Sequence, residues 1–527
     1  MTEGNGDVRE LPKGWLITKL GKVCEVVRGG SPRPMGNPKY FNGNIPFIKI
    51  ADITKVKGKT IFDAETKVNE EGSKKSRLLP KGSLILSNSG TVCIPKFLGA
   101  EACIHDGFVA FLGLPDEISK EYLFYYFQYL RPYVIQKHKQ GITQVNLNIE
   151  IVSDFDLRLP PTNEQKRIID KIEELSSDLD QGIESLKTAQ KQLKVYRQAV
   201  LKWAFEGKLT EEWRKQHQST LKTGEALLTQ IKAERENRYQ QQLAEWETAV
   251  KEWEAIEKVG KKPNKPQRRK ELSIITSSEL AELPKLPDDW CWVKLGEITE
   301  VSGGLTKNSK RNELNLKLPY LRVANVYANR FDLDEIFDIG LERGEVERVL
   351  LKQNDLLVVE GNGSIEQIGR VAIWGGKINP CVHQNHLIKA RPSKSLNVKC
   401  ALYFLLSYQG REFIKREAGS TSGLHTLSLS KVENLKIPLS SEEEQEEIVQ
   451  EIESRLSICD QLEATITENL QKAEALRQSI LKQAFEGKLV PQDPNDEPAE
   501  KLLEQIRLER QEKQPQPAKK QLKIKGT

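Results

Sequence analysis

Two stretches of the chain repeat one long helical pattern of apolar and polar positions. Residues 163–208 and 443–488 run in parallel at an offset of 280 residues, and both lead through the hexapeptide Ala-Phe-Glu-Gly-Lys-Leu. Apolar residues recur at alternating steps of three and four, which is the spacing of a coiled-coil seam. The seam positions are Ile168, Ile172, Leu175, Leu179, Leu186, Leu193 and Val200 in the first stretch, and Ile448, Ile452, Ile466, Leu476 and Ile480 in the second. The pattern predicts two long helices, and two equivalent copies favour pairing with each other over two solvated helices with an apolar stripe.

Helix-end signals flank both stretches. Thr162 with Gln165, and Ser441 with Glu444, have the spacing of a capping box. The glycine of each hexapeptide suits the left-handed conformation that closes a helix C-terminus. At ~1.5 Å per residue each helix is about 60 Å long, which is too long for one small core.

The region before each helix has a mixed α/β pattern. Strand-like runs cover residues 45–50, 83–86 and 103–112, and a helical run over residues 120–138 is rich in Tyr and Phe. Stacking of those rings on bases is one interpretation. Core packing is favoured, because so many adjacent rings cannot all face one ligand.

The α/β pattern itself occurs twice. Leu-Pro-x-x-Trp stands at residues 11–15 and 286–290, and Gly29-Gly30 is matched by Gly303-Gly304. A Cys-x-His pattern occurs at Cys103-Ile104-His105 and again at Cys381-Val382-His383. Two copies indicate a duplicated unit and not a solenoid.

These patterns predict an α/β fold with a long α-helical coiled coil. Two α/β domains are expected to be joined by two long antiparallel helical regions, with a pseudo-two-fold internal duplication. The predicted boundaries are a first α/β domain at 1–160, a helical spacer and linker at 161–270, a second α/β domain at 271–440, and a distal helical region with a basic tail at 441–527.

Composition narrows the class of protein only partly. The chain has 527 residues, 38% apolar and 29% charged, which is enough for several buried cores. Its net charge of +5 is too mild to identify a nucleic-acid binder. Seven scattered cysteines, an odd number, favour reduced thiols. Because we also find no membrane-spanning run and no signal-peptide pattern, we expect a cytoplasmic protein.

The joint order of these motifs resembles the specificity subunit of a Type I restriction–modification system. Each half opens with Leu-Pro-x-x-Trp, Leu-Gly and a Gly-Gly turn, and closes with Glu-Gln before a long helix that ends on Ala-Phe-x-Gly-Lys-Leu. Each motif alone has little specificity, whereas the same order twice over nearly the full length is highly specific.

The resemblance implies a DNA-recognition protein without catalytic residues. Each target-recognition domain would read one half of an asymmetric, split double-stranded DNA site, and the helices would set the spacer and dock two modification subunits. Those subunits would bind S-adenosylmethionine and methylate adenine N6, and restriction subunits would add ATP-dependent cleavage with Mg. No cofactor is expected in this chain itself.

Candidate base-contacting residues lie on glycine-containing loops that gather amides, hydroxyls and cations, the groups that read base edges. In the first domain they are Ser31, Arg33, Ser87, Asn88, Thr91, Thr143, Gln144 and Asn146. In the second they are Lys307, Asn308, Lys310, Arg311, Asn362, Ser364, Ser420, Thr421, Ser422 and His425. Ordinary turn chemistry is the alternative interpretation for each of them.

Other sites are weaker. Candidate partner-binding residues are Phe205, Leu227, Leu228 and Ile231, with Phe485, Leu502, Leu503 and Ile506 in the second repeat. Cys381-x-His383-x-x-His386 has a zinc-like composition, but no fourth ligand is evident and a buried strand is favoured, so no metal is predicted. No phosphate-binding loop or Asn-Pro-Pro-Tyr motif occurs. A coiled-coil protein scaffold and a self-sufficient nuclease or methyltransferase remain as competing classes.

Overall fold

The computed structural model describes residues 11–138, 146–255, 262–421 and 424–512. The chain divides into two compact units. Unit 1 comprises residues 1–187 and 467–527, and unit 2 comprises residues 188–466. The sequence-based boundaries cut the chain into consecutive segments, whereas unit 1 combines two distant stretches of chain.

The two predicted long helices are present. They span Thr162–Phe205 and Glu442–Phe485, with 44 residues each. Three further helices follow the long helices along the chain and span Glu211–His217, Gly224–Ala255 and Ala499–Glu512.

The long helices pair antiparallel within each unit. In unit 2 the end of the first helix, at Val200, shares a core with the start of the second, at Ile448 and Ile452. In unit 1 the start of the first helix, at Ile168, shares a core with the end of the second, at Ile480. These seam positions are buried because the α/β domains also cover them. Coverage is uneven along the rest of the seam, where Leu476 is 52% exposed and the mid-helix Ile466 only 7%.

The α/β domain of unit 1 is built on two sheets. The five-stranded sheet has the order Glu25–Arg28, Phe108–Leu112, Leu84–Ser87, Pro95–Leu98, Thr60–Ile61. The four-stranded sheet has the order Lys67–Val68, Phe41–Ile48, Ala102–Ile104, Arg77–Leu79. A two-stranded pair joins Leu16–Lys19 to Asp156–Leu159. Helices span Leu20–Val23, Ile50–Lys55, Glu70–Lys74, Lys120–His138 and Ile149–Ser153. The rings from Tyr122 to Tyr129 are buried, as core packing predicts.

Unit 2 repeats this plan with changes. Its four-stranded sheet has the order Thr299–Gly303, Leu387–Pro392, Leu356–Val359, Val371–Ile373. Unit 2 also has two three-stranded sheets. One has the order Phe337–Gly340, Lys317–Leu321, Val382–His383, and the other has the order Gly361–Asn362, Leu424–Thr426, Gly419–Thr421. Two-stranded pairs join Cys291–Lys294 to Lys436–Leu439 and Val326–Tyr327 to Arg330–Phe331. Helices span Ser277–Ala281, Leu295–Ile298, Val346–Val349, Val398–Leu406, Tyr408–Glu417 and Leu429–Glu433, with 3₁₀ turns at Ser309–Glu313, Val323–Asn325 and Arg343–Glu345.

The backbone register corrects one sequence match between the halves. His105 N donates to Ile48 O at 3.0 Å, and Gln384 N donates to Leu321 O, also at 3.0 Å. Gln384 is therefore the counterpart of His105, and the Cys-x-His letters of the two halves are one residue out of register.

Each unit is completed by the hexapeptide that ends the other repeat's long helix. Phe485 is fully buried in unit 1, with its ring centroid 5.2 Å from that of Tyr122, 5.0 Å from that of Tyr126 and 5.2 Å from that of Tyr129. Arg158 Nη1 donates to the carbonyl of Phe485 at 3.0 Å. The hexapeptide of the second repeat therefore helps to build the core of unit 1, through ring packing and a backbone hydrogen bond.

Unit 2 has the equivalent contact. Phe205 packs on Phe404 with 5.2 Å between ring centroids. Leu227 and Ile231 belong to the same core in unit 2, as Leu502 and Ile506 do in unit 1. The expectation that these six residues form a partner surface is corrected, because their side chains fill cores within the chain; Leu228 and Leu503 pack on those cores and are partly buried.

The N-terminal ends of the long helices depart from the capping-box prediction. Glu444 N donates to Ser441 Oγ at 3.1 Å, so half of that box is present. In the first helix the Gln165 amide instead donates to Glu117 O at 3.2 Å and accepts from Ser119 N at 3.0 Å. Tertiary contacts with the α/β domain thus replace the local bonds.

A buried carboxylate occupies equivalent positions at the two helix starts. Glu444 accepts from Trp290 Nε1 at 2.8 Å, Thr210 Oγ1 at 2.7 Å and Arg214 Nε at 2.8 Å. Its counterpart Glu164 is 1% exposed, and its Oε1 has no partner among the described residues. Burial raises the pKa of Glu164.

We predict opposite effects from the same substitution at these two positions. Glu444→Gln leaves Arg214 without its charge partner and should lower the free energy of unfolding by about 3 kcal/mol at pH 7. Glu164→Gln removes a carboxylate whose raised pKa disfavours its charged form in the folded state, so it should increase stability at pH 7.

The pH dependence follows from linkage. A group whose pKa is raised in the folded state contributes stability at pH values below its unfolded-state pKa, and this contribution is lost as pH rises. The gain from Glu164→Gln should therefore shrink as pH falls toward about 4. Urea unfolding of both variants at pH 4 and pH 7 measures this. A loss of stability in both variants at pH 7 would contradict the prediction.

Candidate nucleic-acid interface

Three loops of unit 1 meet where the strand Leu84–Ser87 ends. Asn88 N donates to Gly107 O at 2.9 Å, and Leu147 N donates to Asn88 O at 2.7 Å. Ser89 forms an isolated β-bridge with Asn146. The structure thus brings two of the predicted loops together and adds the turn 105–107, which sequence analysis did not identify.

Unit 2 has the same backbone frame. Glu360 N donates to His386 O at 3.0 Å, and Leu427 N donates to Glu360 O at 2.8 Å. Asn362 pairs with His425 across two adjacent strands. Position 360 therefore corresponds to position 88, and position 386 to position 107.

One glycine of each Gly-Gly turn, Gly29 in unit 1 and Gly304 in unit 2, lets this turn come close to another backbone. A Cβ atom at Gly29 would lie 2.2 Å from His105 O, and one at Gly304 would lie 2.2 Å from His383 O. No other residue fits such an approach. The loops that begin at residues 31 and 306 consequently start beside the turns 105–107 and 384–386.

In unit 1 the first loop is held to this turn by polar contacts. Ser31 Oγ accepts from Asp106 N at 3.3 Å, and Arg33 forms an ion pair with Asp106 at 3.4 Å. Arg33 remains 68% exposed. Arg28 Nε donates to Asp106 O at 2.8 Å. Predicted loop residues and the additional cation Arg28 therefore surround one turn.

Electrostatics at this turn favour an anionic ligand. Burial lowers the pKa of His105, Asp106 opposes that shift, and the nearby cations Arg33, Lys49 and Arg28 add to it. Clustered cations of this kind neutralise DNA phosphates.

In unit 2 one predicted base reader has a structural role. Arg311 donates from both terminal nitrogens to Glu345, at 2.8 Å each, and Nε donates to Thr306 O at 2.8 Å. This pairing lowers the pKa of Glu345 to about 2. Asn308 caps the short 3₁₀ turn by accepting from Arg311 N at 3.2 Å. Lys307 and Lys310 are exposed.

The loop after the central strand, which is Leu84–Ser87 in unit 1 and Leu356–Val359 in unit 2, carries different side chains in the two units. In unit 1, Ser87 Oγ donates to Thr91 O at 2.6 Å and accepts from Ile94 N at 2.9 Å. Asn88 is 1% exposed, and neither atom of its amide has a partner among the described residues. In unit 2, His386 Nδ1 lies 2.9 Å from a carboxylate oxygen of Glu360.

The remaining candidates fall in three groups. Asn362 Oδ1 accepts from Ser364 N at 2.9 Å, which is turn chemistry. His425 Nδ1 has no partner among the described residues, and Ser420 and Thr421 lie on the adjacent strand. Thr143, Gln144 and Ser422 lie outside the described residues.

In unit 2 the side chains of the zinc-like motif take part in core packing and in an ion pair. His383 is fully buried with Nδ1 2.9 Å from Leu387 O, and burial lowers its pKa to about 3. Within the described ranges, no group of three or more His, Cys, Asp and Glu side chains is placed to hold a metal ion. Over the same ranges, no helix has the length and apolar character needed to cross a membrane.

A duplicated backbone frame thus carries cations, amides and hydroxyls on its loops, groups that can contact phosphates and base edges. The family described as Type I restriction modification DNA specificity domain matches residues 12–188 and 287–472. The chain belongs to this family, and the two matches confirm the predicted duplication.

Curated relatives match over nearly their whole length. The Type I restriction enzyme EcoKI specificity subunit of Escherichia coli (strain K12) is 26% identical over 95% of this chain and 96% of its own. The StySPI specificity subunit of Salmonella potsdam is 23% identical over the same shares of the two chains, 95% and 96%.

Two solved structures are similar to this chain. A chain from "Structural basis underlying complex assembly and conformational transition of the type I R-M system" has a TM-score of 0.60 at 18% identity, covering 91% of this chain and all of its own. The HsdS subunit from Thermoanaerobacter tengcongensis is 19% identical over 92% of this chain and 99% of its own, with a TM-score of 0.48. The TM-score of 0.60 supports the predicted fold class of α/β domains with long helices.

The unpaired amide of Asn88 generates a prediction that separates a structural from a ligand-binding role. A buried polar group without a partner costs about 1–3 kcal/mol, so Asn88→Leu, which keeps the branched shape and the number of side-chain heavy atoms, should leave the free energy of unfolding unchanged or raise it. The neighbouring Ser87→Ala removes two satisfied hydrogen bonds and should lower it by about 1–2 kcal/mol. Chemical denaturation of the two variants measures both values. A loss of stability for Asn88→Leu as large as for Ser87→Ala would show that the amide has a structural partner.

Proposed function

We propose that this chain reads an asymmetric, bipartite DNA sequence for a Type I restriction–modification complex, with one half-site per unit. The observation that carries the proposal is the loop frame shared by both units. Because the backbone bonds are equivalent while the side chains differ, each unit offers the same kind of surface to a different base sequence.

The chemistry of the loops supports DNA as the ligand. Arg28, Lys49 and the exposed Arg33 cluster in unit 1, and Lys307 and Lys310 are exposed in unit 2. Cations of this kind neutralise phosphates and position a duplex, whereas amides and hydroxyls on the loops discriminate between base edges.

We further propose that the chain has no catalytic role of its own. Two modification subunits would dock on the helical regions, bind S-adenosylmethionine and methylate adenine N6. Restriction subunits would supply ATP- and Mg-dependent cleavage. The relatives are specificity subunits of Type I restriction enzymes, which supports this division of labour.

Methylation mapping tests the proposal directly. The chain is combined with the modification subunits of its own system and S-adenosylmethionine, and methylated adenines are located in a random DNA library. The expected result is two different specified half-sites separated by unread base pairs, with binding that weakens as salt rises. A protein scaffold would show no sequence preference, and methylation by the isolated chain would overturn the non-catalytic assignment.

Helix length is expected to set the unread spacer. Four residues inserted after Lys187, with four more after Ile466, lengthen both long helices by ~6 Å and ~400°, which nearly preserves the apolar seam. At ~3.4 Å per base pair, the spacer should grow by about one or two base pairs. Because the loops are unchanged, the bases of each half-site should stay the same.

Site libraries with varied spacers measure this outcome. A matched control places four residues after Lys262, in a stretch without regular secondary structure, where the spacer should not change. An unchanged spacer in the lengthened protein, or altered half-site bases, would contradict the proposed role of the helices.

A further inference from the structure

The turn 384–386 of unit 2 has a fixed backbone and uncommitted side chains. Gln384 N donates to Leu321 O at 3.0 Å, Asn385 N donates to Leu305 O at 2.9 Å, and Leu387 N donates to Gln384 O at 2.9 Å. The turn is therefore anchored on both sides before any ligand binds.

The amides of this turn are half-buried and available. Gln384 and Asn385 are partly exposed, and neither side chain forms a hydrogen bond with another described residue. The next residue, His386, is paired with Glu360 at 2.9 Å, which ties the end of the turn to the loop after the central strand. Two unpaired amides thus sit side by side on a rigid support.

The counterpart turn of unit 1 is committed differently. His105 Nδ1 accepts from Gly107 N at 3.0 Å, and the Asp106 carboxylate is paired with Arg33 at 3.4 Å. Unit 1 instead leaves the amide of Asn88 without a partner among the described residues, at the position where unit 2 has Glu360. The frame therefore holds unpaired amides at different positions in the two units, and only those of Gln384 and Asn385 are partly exposed.

From this contrast we infer that Gln384 and Asn385 are specificity-determining residues of unit 2, and that the base they select is adenine. An amide can accept from adenine N6 and donate to adenine N7 at the same time, and no other base offers that pair in the major groove. A preorganised backbone keeps the entropic cost of ordering such a contact low. The inference rests on the proposed function and assigns its base readers in the second half-site.

The test uses the complete complex of this chain with its modification subunits. The isosteric double variant Gln384→Glu with Asn385→Asp replaces each amide by a carboxylate, which cannot donate to N7. The double variant Gln384→Ala with Asn385→Ala removes both groups. Gln353→Ala is the control, because this exposed amide lies before the strand Leu356–Val359 and the turn lies beyond its other end.

Methylation rates are measured on libraries in which one half-site is randomised and the other is intact. For the wild-type complex and the Gln353→Ala control, adenine at one or two positions of the second half-site should be preferred by roughly 5- to 150-fold, the range for one bidentate contact. Both double variants should lose that preference while the first half-site is read as before.

The other outcomes are distinguishable. Retention of the wild-type preference by both double variants would overturn the inference and leave the proposed function intact. Loss of discrimination at both half-sites in the isosteric variant would also overturn it, since that result indicates a role in folding. A wild-type complex without any sequence preference would overturn the proposed function, and the inference with it.

Discussion

The burial of one aromatic side chain at the end of each long helix is the contact on which the two units depend. Phe485 lies among three tyrosine rings of unit 1, although it comes from the second repeat of the sequence. Phe205, from the first repeat, packs on Phe404 of unit 2. Full burial of a phenylalanine contributes several kcal/mol, a large share of a domain's net stability. Each core therefore contains residues of both repeats and is incomplete in one repeat alone.

This exchange explains how the halves can diverge in their loops without losing the fold. The parts that both units share are the helix ends, the buried carboxylates and the Gly29 and Gly304 turns, which act through packing, buried polar contacts or backbone approach. The cores depend little on the side chains at positions 88 and 360 or in the turns 105–107 and 384–386. They are free to differ, so two units of one architecture can carry two recognition chemistries.

Periodicity was sufficient to predict the long helices, their pairing and the duplication, because repeated spacing directly reflects helical geometry. It could not separate an apolar residue facing a partner from one facing the chain's own core, which is why Phe205 and Phe485 were assigned to an interface. Arg311 was predicted to read bases because the sequence does not reveal its ion pair with Glu345, which lies 34 positions further along the chain.

The turns 105–107 and 384–386 were missed for a different reason. Comparison of the halves shows His-Asp-Gly against Gln-Asn-His, so no shared letters mark the position. The shared Cys-x-His letters beside it were one residue out of register, because identity of letters says nothing about which amide bonds to which carbonyl. The Gly-Gly turns were the usable signal, since such a pair indicates a second backbone passing close by.

The most direct test of the account is the association state of the fragment 1–270, which contains one complete repeat. Its α/β domain lacks Ile480, Ala484, Phe485, Leu502 and Ile506, whose counterparts Val200, Ala204, Phe205, Leu227 and Ile231 are present in the same fragment. Two copies can therefore exchange helix ends. Sedimentation equilibrium should show a dimer that dissociates and unfolds when Phe205 is replaced by Ala. A folded, stable monomer would contradict the claim that each unit is completed by the helix end of the other repeat.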